Sequence, residues 1–180
     1  QETKVHDEQF PIDVVQEIGY HVEFFGQKSH YGVALLSLNA PESVQKGWPW
    51  DGDEAQKRLI HAAYRIDGEL WHVINGYFPQ GESIHHETKF PAKRKFYADL
   101  MRYLSENFTT NDNVLIMGDM NISPEDTDIG IGEPNRKRWL KSGKCSFQPE
   151  EREWYETLLS WGVRDAHRKI HPTDNSTFSW

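Results

Sequence analysis

The order of four segments most constrains the fold of this chain. Two apolar segments are joined by Asp67-Gly68 and are followed by a helix pattern and a third apolar run. Segments 59–66 and 69–78 are strand-like, and Asp-Gly is a favoured two-residue turn of a β-hairpin. Residues 88–108 carry apolar side chains at helical spacing. Residues 113–117 (NVLIM) are apolar from Val114 onward and are predicted to form a buried central strand. This order predicts an α/β chain with a mixed sheet.

Other segments extend this alternation of strands and helices. The further predicted elements are helices over 11–18 and 150–161, strands over 20–25 and 31–38, and loops over 41–57 and 121–148. In the helix over 88–108, Lys93, Arg94 and Lys95 are placed largely off the apolar face. No repeat or linker interrupts the pattern, so we expect residues 1–180 to form a single domain or most of one.

Composition excludes several classes of protein. Aromatic residues make up 13% of the chain, with seven Trp, which argues against disorder despite a net charge of −8. No apolar stretch approaches the ~18 residues of a membrane span. A single Cys145 excludes an internal disulfide framework, and no signal peptide is evident. We therefore expect a soluble, cytoplasmic protein.

The ends of the chain predict a fragment. The sequence begins at Gln1 without Met and stops at the strand-like Phe178-Ser179-Trp180. Domains usually begin and end in polar, mobile residues. The alternative is a processed chain with ordinary termini.

Gly118-Asp119-Met120-Asn121 is the strongest local chemical feature. It follows the apolar run directly, so a carboxylate and an amide two residues apart project to the same side of a strand end. Asp119 can accept a proton from water, and Asn121 can orient that water or a phosphate oxygen. An Asx-turn that merely closes the strand is an equally good interpretation.

Two further side chains are weaker candidates on their own. Tyr77 lies near another strand end and could reach the same crevice, although a packed aromatic is the commoner role. Glu2 is a lone carboxylate beside Lys4. Such a carboxylate could bind Mg²⁺, which often uses only one or two carboxylates and several waters.

A basic segment lies within the predicted loop over 121–148. Arg136, Lys137, Arg138, Lys141 and Lys144 are five cations within nine residues, with Trp139 among them. Basic residues interleaved with an aromatic suit contact with a phosphate backbone. A solvated surface segment is the plainer alternative, and the acidic total charge is compatible with a basic face.

Other motifs of catalysis or cofactor binding are missing from the sequence. The nine His residues are scattered, and His85-His86 are adjacent instead of at a metal-ligand spacing. We assign them structural or surface roles. Gly130-Ile131-Gly132 lacks the strand and helix context of a nucleotide-binding loop. The absence of a GxSxG motif disfavours a serine hydrolase.

Seven segments together form a recognisable pattern: QETKV at 1–5, GQKSHYGVALLS at 26–37, VINGYFPQGES at 73–83, KFPAKRKFY at 89–97, VLIMGDMNISPEDTDIGIG at 114–132, NRKRWLKSGKCSFQPEEREW at 135–154 and FSW at 178–180. Through these segments the chain resembles, over its whole length, the exodeoxyribonuclease III family of the endonuclease/exonuclease/phosphatase superfamily. QETK, NGYFPQG and GDMN recur across the superfamily, whereas the run from GDMN through KCSF is more specific to this family.

The resemblance implies a fold and a set of site residues. The implied fold is a four-layered α/β sandwich with two mixed β-sheets, incomplete at both ends of this chain. By resemblance, Glu2 would bind the metal, Asp119 would activate the attacking water, and Asn121 and Tyr77 would contact the scissile phosphate. Trp180 would line the pocket for the abasic sugar. The DNA backbone would be contacted by Gln80 and by the stretch 135–144, including Arg136, Lys137, Arg138 and Lys141.

The implied activity is metal-dependent hydrolysis of duplex DNA, as a 3'-to-5' exonuclease and an abasic-site endonuclease. The cofactor would be Mg²⁺ or Mn²⁺, the substrate double-stranded or abasic-site DNA, and the protein a monomer. The family's first Asn-bearing strand, a later Asp–Asn pair and a Ser-Asp-His motif are not found here, so we expect these 180 residues alone to fold poorly and to be inactive. The alternatives are a phosphoesterase for small esters or lipid headgroups, and a non-catalytic DNA-binding paralogue.

Overall fold

A computed structural model describes residues 1–178 of the chain. The strands are β1 His21–Phe25, β2 Val33–Ser37, β3 Ser43–Lys46, β4 Leu59–Ile66, β5 Glu69–Tyr77 and β6 Asn113–Asp119. The α-helices are α1 Ile12–Glu17, α2 Lys89–Asn107, α3 Glu133–Ser142, α4 Pro149–Trp161 and α5 Ala166–Ile170, and short 3₁₀-helices span Asp7–Gln9 and Asp126–Asp128. Within residues 1–178, no helix has the length and apolar character needed to cross a membrane.

The predicted hairpin is confirmed. β4 pairs with β5 in antiparallel register from Leu59 opposite Gly76 to Ile66 opposite Glu69. The turn between the two strands consists of Asp67 and Gly68, both with positive φ, as a two-residue hairpin turn requires. The predicted strands over 20–25 and 31–38 and helices over 11–18, 88–108 and 150–161 are also present, with ends shifted by a few residues.

The strands form two sheets. β1 and β2 make an antiparallel pair, and the second sheet has the order β3-β4-β5-β6, with only its β5–β6 pairing parallel. An apolar core joins β2 to β4 through Val33, Leu35, Ile60, Ala62 and Tyr64. The α/β class with two sheets is thus confirmed, although the smaller sheet is antiparallel and not mixed.

The chain divides into two compact units. The first consists of residues 1–78 and 111–120 and contains every strand named above together with α1. The second consists of residues 79–110 and the described residues from 121 onward, and it contains α2 to α5. The expectation of a single domain stays a prediction.

The prediction of a buried central strand over 113–117 is wrong for the described chain. β6 is the last strand of its sheet and, within residues 1–178, pairs with β5 alone. Leu115 and Met117 are 45% and 44% exposed, since no described layer covers their face of the sheet. Apolar composition predicted a strand correctly but could not predict its neighbours.

Two segments predicted to be loops contain regular structure. Residues 41–57 contain β3, a polar strand that owes its extended form to pairing with β4. Residues 121–148 contain α3, with Pro134 in its first turn and Gly143 in the left-handed conformation at its end. Pro at the start and Gly past the end are ordinary helix signals, so this helix could have been predicted.

In the second unit, α2 packs against α4 through aromatic side chains. The rings of Phe90 and Tyr97 both lie 5.5 Å from that of Trp154, measured between centroids. Lys93 belongs to the same face and is fully buried, so its placement off the apolar face is wrong. It lies three residues after Phe90 and four before Tyr97, which is the spacing of one helix face.

Gly118 of β6 lies directly against the backbone of β5. It has a φ of +130°, and a Cβ atom there would overlap the main-chain carbonyl oxygen of Gly76. The neighbouring atoms are backbone atoms of a paired strand and cannot move aside. Gly118 therefore allows β6 to pair with β5 up to Asp119.

We expect Gly118→Ala to lower the free energy of unfolding by about 2–4 kcal/mol, because it combines an unfavourable φ with a backbone overlap. Chemical denaturation of the protein expressed from its complete reading frame measures this. Gly52→Ala is the control, because no atom lies within 4 Å of a Cβ there and its φ is not in the positive region. Equal stability of the two variants would contradict the assigned role of Gly118.

Candidate active site

The segment of residues 1–4 is fastened to the first unit through its main chain. The amide of Thr3 donates to the carbonyl of Gly32 at 3.2 Å, and that of Lys4 to the carbonyl of Tyr31 at 2.9 Å. Glu2 lies between these two bonds with a φ of +57°, an uncommon value for a residue with a side chain. Such backbone persists only where its surroundings hold it, so the position of Glu2 is well defined.

The Glu2 carboxylate has a partner on each oxygen. The Tyr77 hydroxyl donates to Oε1 at 2.6 Å, and the Lys4 ammonium lies 3.0 Å from Oε2. The hydrogen bond from Tyr77, followed by that from Lys4, lowers the pKa of Glu2 below its ordinary value. The carboxylate is therefore ionised at neutral pH and remains 42% exposed.

Tyr77 remains a phenol at neutral pH. Its burial, with the hydrogen bond to Glu2 as the next cause, raises the pKa of Tyr77 to about 12. A protonated hydroxyl can donate to an anionic oxygen, whereas a phenolate could not. Tyr77 is thus suited to donate to an anion that takes the place of Glu2 or lies beside it.

Arg58 completes this cluster and was not predicted from the sequence. Its guanidinium carbon lies 4.8 Å from the ring centroid of Tyr77 and 4.5 Å from that of Tyr31, and Nη1 donates to the Tyr77 carbonyl at 3.0 Å. Burial is the main cause that lowers the pKa of Arg58, but an arginine stays charged at neutral pH. A lone Arg before an apolar strand carries no motif, and only the pairing of β4 with β5 brings it to Tyr77.

Asp119 is the last residue of β6 and lies opposite Tyr77 in the parallel register. Its carbonyl accepts a hydrogen bond of 2.9 Å from the amide of Phe78, and its side chain is exposed. The charge of Asp119 influences both Tyr77 and Arg58 electrostatically. The first unit therefore brings together Glu2, Tyr77 and Asp119, which the sequence had nominated separately.

The cluster fits a hard cation. Glu2 offers ionised, exposed carboxylate oxygens, and a Mg²⁺ or Mn²⁺ ion can take its remaining ligands from water and substrate. Within residues 1–178, no three His, Cys, Asp or Glu side chains form a group that could enclose a metal.

Two histidines contact each other away from this cluster. The ring nitrogens of His61 on β4 and His72 on β5 lie 3.0 Å apart, and burial lowers the pKa of His61 to about 4.

Asn121 and Gln80 belong to the second unit. Asn121 is 8% exposed with a φ of +53°, and its carbonyl accepts a hydrogen bond of 2.7 Å from the Lys93 ammonium. The Gln80 side chain accepts from the amide of Glu82 at 2.7 Å. It also lines a cavity of about 330 Å³ whose other walls are Glu82, Ser83, Trp139, Ser142 and Lys144.

The basic segment lies on α3 except for Lys144, which follows the helix, and its cations differ in their surroundings. Arg136 pairs with Glu133 and Asp126, and Lys137 pairs with Glu133. Arg138 and Lys141 are exposed, and no ion pair of either is found within residues 1–178. These two side chains are the better placed to meet an external anion. Trp180 lies outside the described residues.

We expect Tyr77→Phe to raise the pKa of Glu2 toward its ordinary value, because the largest cause of its lowering disappears. Ionised Glu2 favours the folded state above its unfolded pKa, and this contribution is lost as pH falls through the folded pKa. As pH falls, the variant should therefore lose this contribution to stability at a higher pH than the wild type does. Carboxyl-carbon NMR titration measures the change, with Tyr20→Phe as control; an unchanged Glu2 titration would contradict the role of Tyr77.

Comparisons with known proteins find relatives of this chain in sequence and in fold. The chain is 58% identical to exodeoxyribonuclease III of Haemophilus influenzae over 180 residues, which are 67% of that protein. An AP endonuclease from Archaeoglobus fulgidus superimposes with a TM-score of 0.82 at 37% identity, over 97% of this chain and 63% of that one. A Neisseria 3' phosphatase bound to a product DNA hairpin also gives 0.82, at 31% identity, over 96% and 63%.

The chain therefore spans just under two thirds of the length of these solved structures. Residues 1–179 match the Endonuclease/Exonuclease/phosphatase family. The match covers the QETK segment, the end of β5 and the end of β6, where the site geometry lies. On this evidence the chain belongs to the Endonuclease/Exonuclease/phosphatase family.

Proposed function

We propose that the protein hydrolyses phosphodiester bonds in duplex DNA with a divalent metal ion, as an abasic-site endonuclease and a 3'-to-5' exonuclease. The observation that carries the proposal is the cluster of Glu2, Tyr77, Arg58 and Asp119 at the paired ends of β5 and β6. It combines an ionised carboxylate, a protonated phenol, a guanidinium and a second carboxylate. The likeness to exodeoxyribonuclease III and to AP endonucleases supports DNA as the substrate.

Hydrolysis of a phosphodiester needs a proton acceptor for water and stabilisation of negative charge on phosphate oxygens. Asp119 is exposed at the end of β6 and can accept the proton of the attacking water. Tyr77 has one hydroxyl proton, which it donates to Glu2 in the free site and can donate to a phosphate oxygen instead when substrate is bound, and Arg58 holds a fixed positive charge against the Tyr77 ring. Donors held in place before the reaction stabilise the developing charge without reorganising. In the second unit, Asn121 would contact the scissile phosphate, as the resemblance to the exodeoxyribonuclease III family implies.

Glu2 would hold the metal ion. The family is a class of divalent-metal-dependent nucleases, and Mg²⁺ or Mn²⁺ fits an oxygen ligand of this kind. When bound, such an ion polarises the phosphate and stabilises the leaving oxygen. Tyr77 and Lys4 orient the carboxylate through its two oxygens, so that its position is set in advance.

The remaining predicted residues would bind the duplex. Arg138 and Lys141 offer exposed charges for the phosphate backbone, and Arg136 and Lys137 precede them on α3. Gln80 lines a cavity together with Trp139 and Lys144. Trp180 would line the pocket for an extruded abasic sugar. A DNA-repair nuclease of this kind would act in the cytoplasm, as a monomer on double-stranded or abasic-site DNA.

The first test is incision of a duplex that carries one abasic analogue, by the protein expressed from its complete reading frame. We expect nicking with Mg²⁺ and none with EDTA. Asp119→Asn should lower kcat by about 10³-fold or more while DNA binding persists, because it removes the proton acceptor. Asp53→Asn, an exposed loop aspartate, is the control and should retain the wild-type rate.

Different outcomes would point to the alternative functions. Binding of the duplex without metal-dependent incision would indicate a non-catalytic DNA-binding paralogue. Hydrolysis of a small phosphate ester or lipid headgroup without action on DNA would indicate a different phosphoesterase. Full activity of Asp119→Asn would show that the assignment of this residue is wrong.

The second test concerns the basic helix. Replacing both Arg138 and Lys141 by Ala should weaken duplex binding equally for different sequences and reduce the slope of log Kd against log salt by about two, because each phosphate contact contributes about one. Fluorescence anisotropy over a salt series measures this. Lys95→Ala on the exposed side of α2 is the control. An unchanged slope would remove α3 from the DNA interface.

A further inference from the structure

A fully buried ion pair in the described part of the second unit has no role in the proposed mechanism. Lys93 on α2 and Glu151 on α4 are both 0% exposed, and Nζ lies 2.5 Å from Oε1. Removing two charges from water is unfavourable, and such a pair often stabilises a protein no better than apolar residues would. The further contacts of the two charged groups therefore indicate the role of the pair.

Lys93 uses its ammonium group to hold two main-chain carbonyls. Beyond Glu151, Nζ donates to the carbonyl of Asn121 at 2.7 Å and to that of Gln80 at 3.3 Å. All three ammonium donors are thereby used within the protein. Asn121 and Gln80 are two of the residues proposed to contact DNA, and the Lys93 ammonium holds both through their main-chain carbonyls and not through their side chains.

Glu151 holds the backbone of Ser146 and Gln148, the segment that pairs with Ser123. Its Oε2 accepts hydrogen bonds from the amides of Ser146 at 2.8 Å and Gln148 at 2.9 Å. The carbonyl of Ser146 in turn accepts from the amide of Ser123 at 2.6 Å. The backbone from Asn121 to Ser123 is thus held at both ends by one buried pair.

The conformation of this backbone requires such support. Ser146 has a φ of +106°, which is unfavourable for a residue with a side chain, and Asn121 has a φ of +53°, a left-handed value that Asn adopts more readily than most residues. Strained backbone of this kind is retained where surrounding contacts determine it, and it is frequent at active sites. A charged donor on the Asn121 carbonyl gives a stronger restraint than a neutral one.

We propose that Lys93 and Glu151 are positioning residues that hold the Asn121 amide in the orientation needed to contact the scissile phosphate. This inference rests on the proposed function of Asn121. The pair acts on catalysis through Asn121 and not by contact with the substrate. Displacing a catalytic group by about 1 Å can reduce the rate ~10²-fold, so loss of the pair should be visible in kcat.

The test uses the neutral double variant Lys93→Met/Glu151→Gln in the protein expressed from its complete reading frame. Met matches the length of the Lys stem, and Gln keeps an acceptor for the amides of Ser146 and Gln148. Lys93→Met alone would leave Glu151 buried without its cation, so it is not the main variant. Lys95→Met, two positions along on the exposed side of α2, is the control.

We expect kcat for incision of an abasic duplex to fall by about 10- to 100-fold in the neutral variant, with KM changed less than about threefold. Lys95→Met should match the wild type. Thermal melts accompany the assay. Unfolding of the neutral variant would overturn the proposal, because the pair would then support the whole fold and not one loop.

A double-mutant cycle with Asn121→Ala separates positioning from general stability. If the pair acts through Asn121, the neutral substitutions should cost less than about threefold in kcat once Asn121 is Ala. Losses that multiply would show that the pair acts independently of Asn121 and would overturn the inference.

Amide NMR provides a readout that does not depend on activity. The side-chain amide resonances of Asn121, assigned by their loss in Asn121→Ala, should shift in the neutral variant and not in Lys95→Met. Unmoved resonances would overturn the positioning role even in an active enzyme. A shift in a protein without nuclease activity would retain the positioning role and reject the proposed function.

Discussion

The parallel pairing of β5 with β6 is the interaction on which the site in the first unit depends. It places Asp119 opposite Tyr77, and the bond from the Phe78 amide to the Asp119 carbonyl continues the ladder to the strand ends. A one-residue slip of β6 against β5 would put the Asp119 side chain on the opposite face of the sheet from Tyr77. Gly76 and Gly118 meet at this point without side chains, which lets the two strands stay in register up to their ends.

Acidic and basic side chains of the first unit lie around the paired ends of β5 and β6. Glu2 and Asp119 are acids, and Lys4 and Arg58 are the cations that accompany them in the first unit. Because Lys4 pairs with an exposed carboxylate, water and ions screen that contact, and it orients more than it stabilises. Arg58 is more buried and lies against two aromatic rings, so its charge is held in place. The protonated Tyr77 links the acid at the start of the chain to the strand ends.

Local signals predicted the elements that form through local interactions. The Asp67-Gly68 turn and the apolar spacing of α2 and α4 each act over a few residues, and all three elements were located from the sequence. β3 was missed because its polar residues become a strand only by pairing with β4. α3 was missed although its Pro and Gly signals were present, because its run of cations was interpreted as a loop that binds phosphate.

The residues of the candidate site were likewise predicted from the sequence only where a local motif marks them. Sequence motifs nominated Glu2, Tyr77, Asp119 and Asn121, since their residue types and neighbours are characteristic in themselves. Arg58 carries no such pattern, and Lys93 was assigned to the wrong side of α2 because a charged residue is ordinarily exposed. The sequence by itself determined the chemistry that is available and the local elements that carry it. Only the tertiary structure decided which side chains meet and which charge is buried, because pairing and burial depend on contacts between residues far apart in the chain.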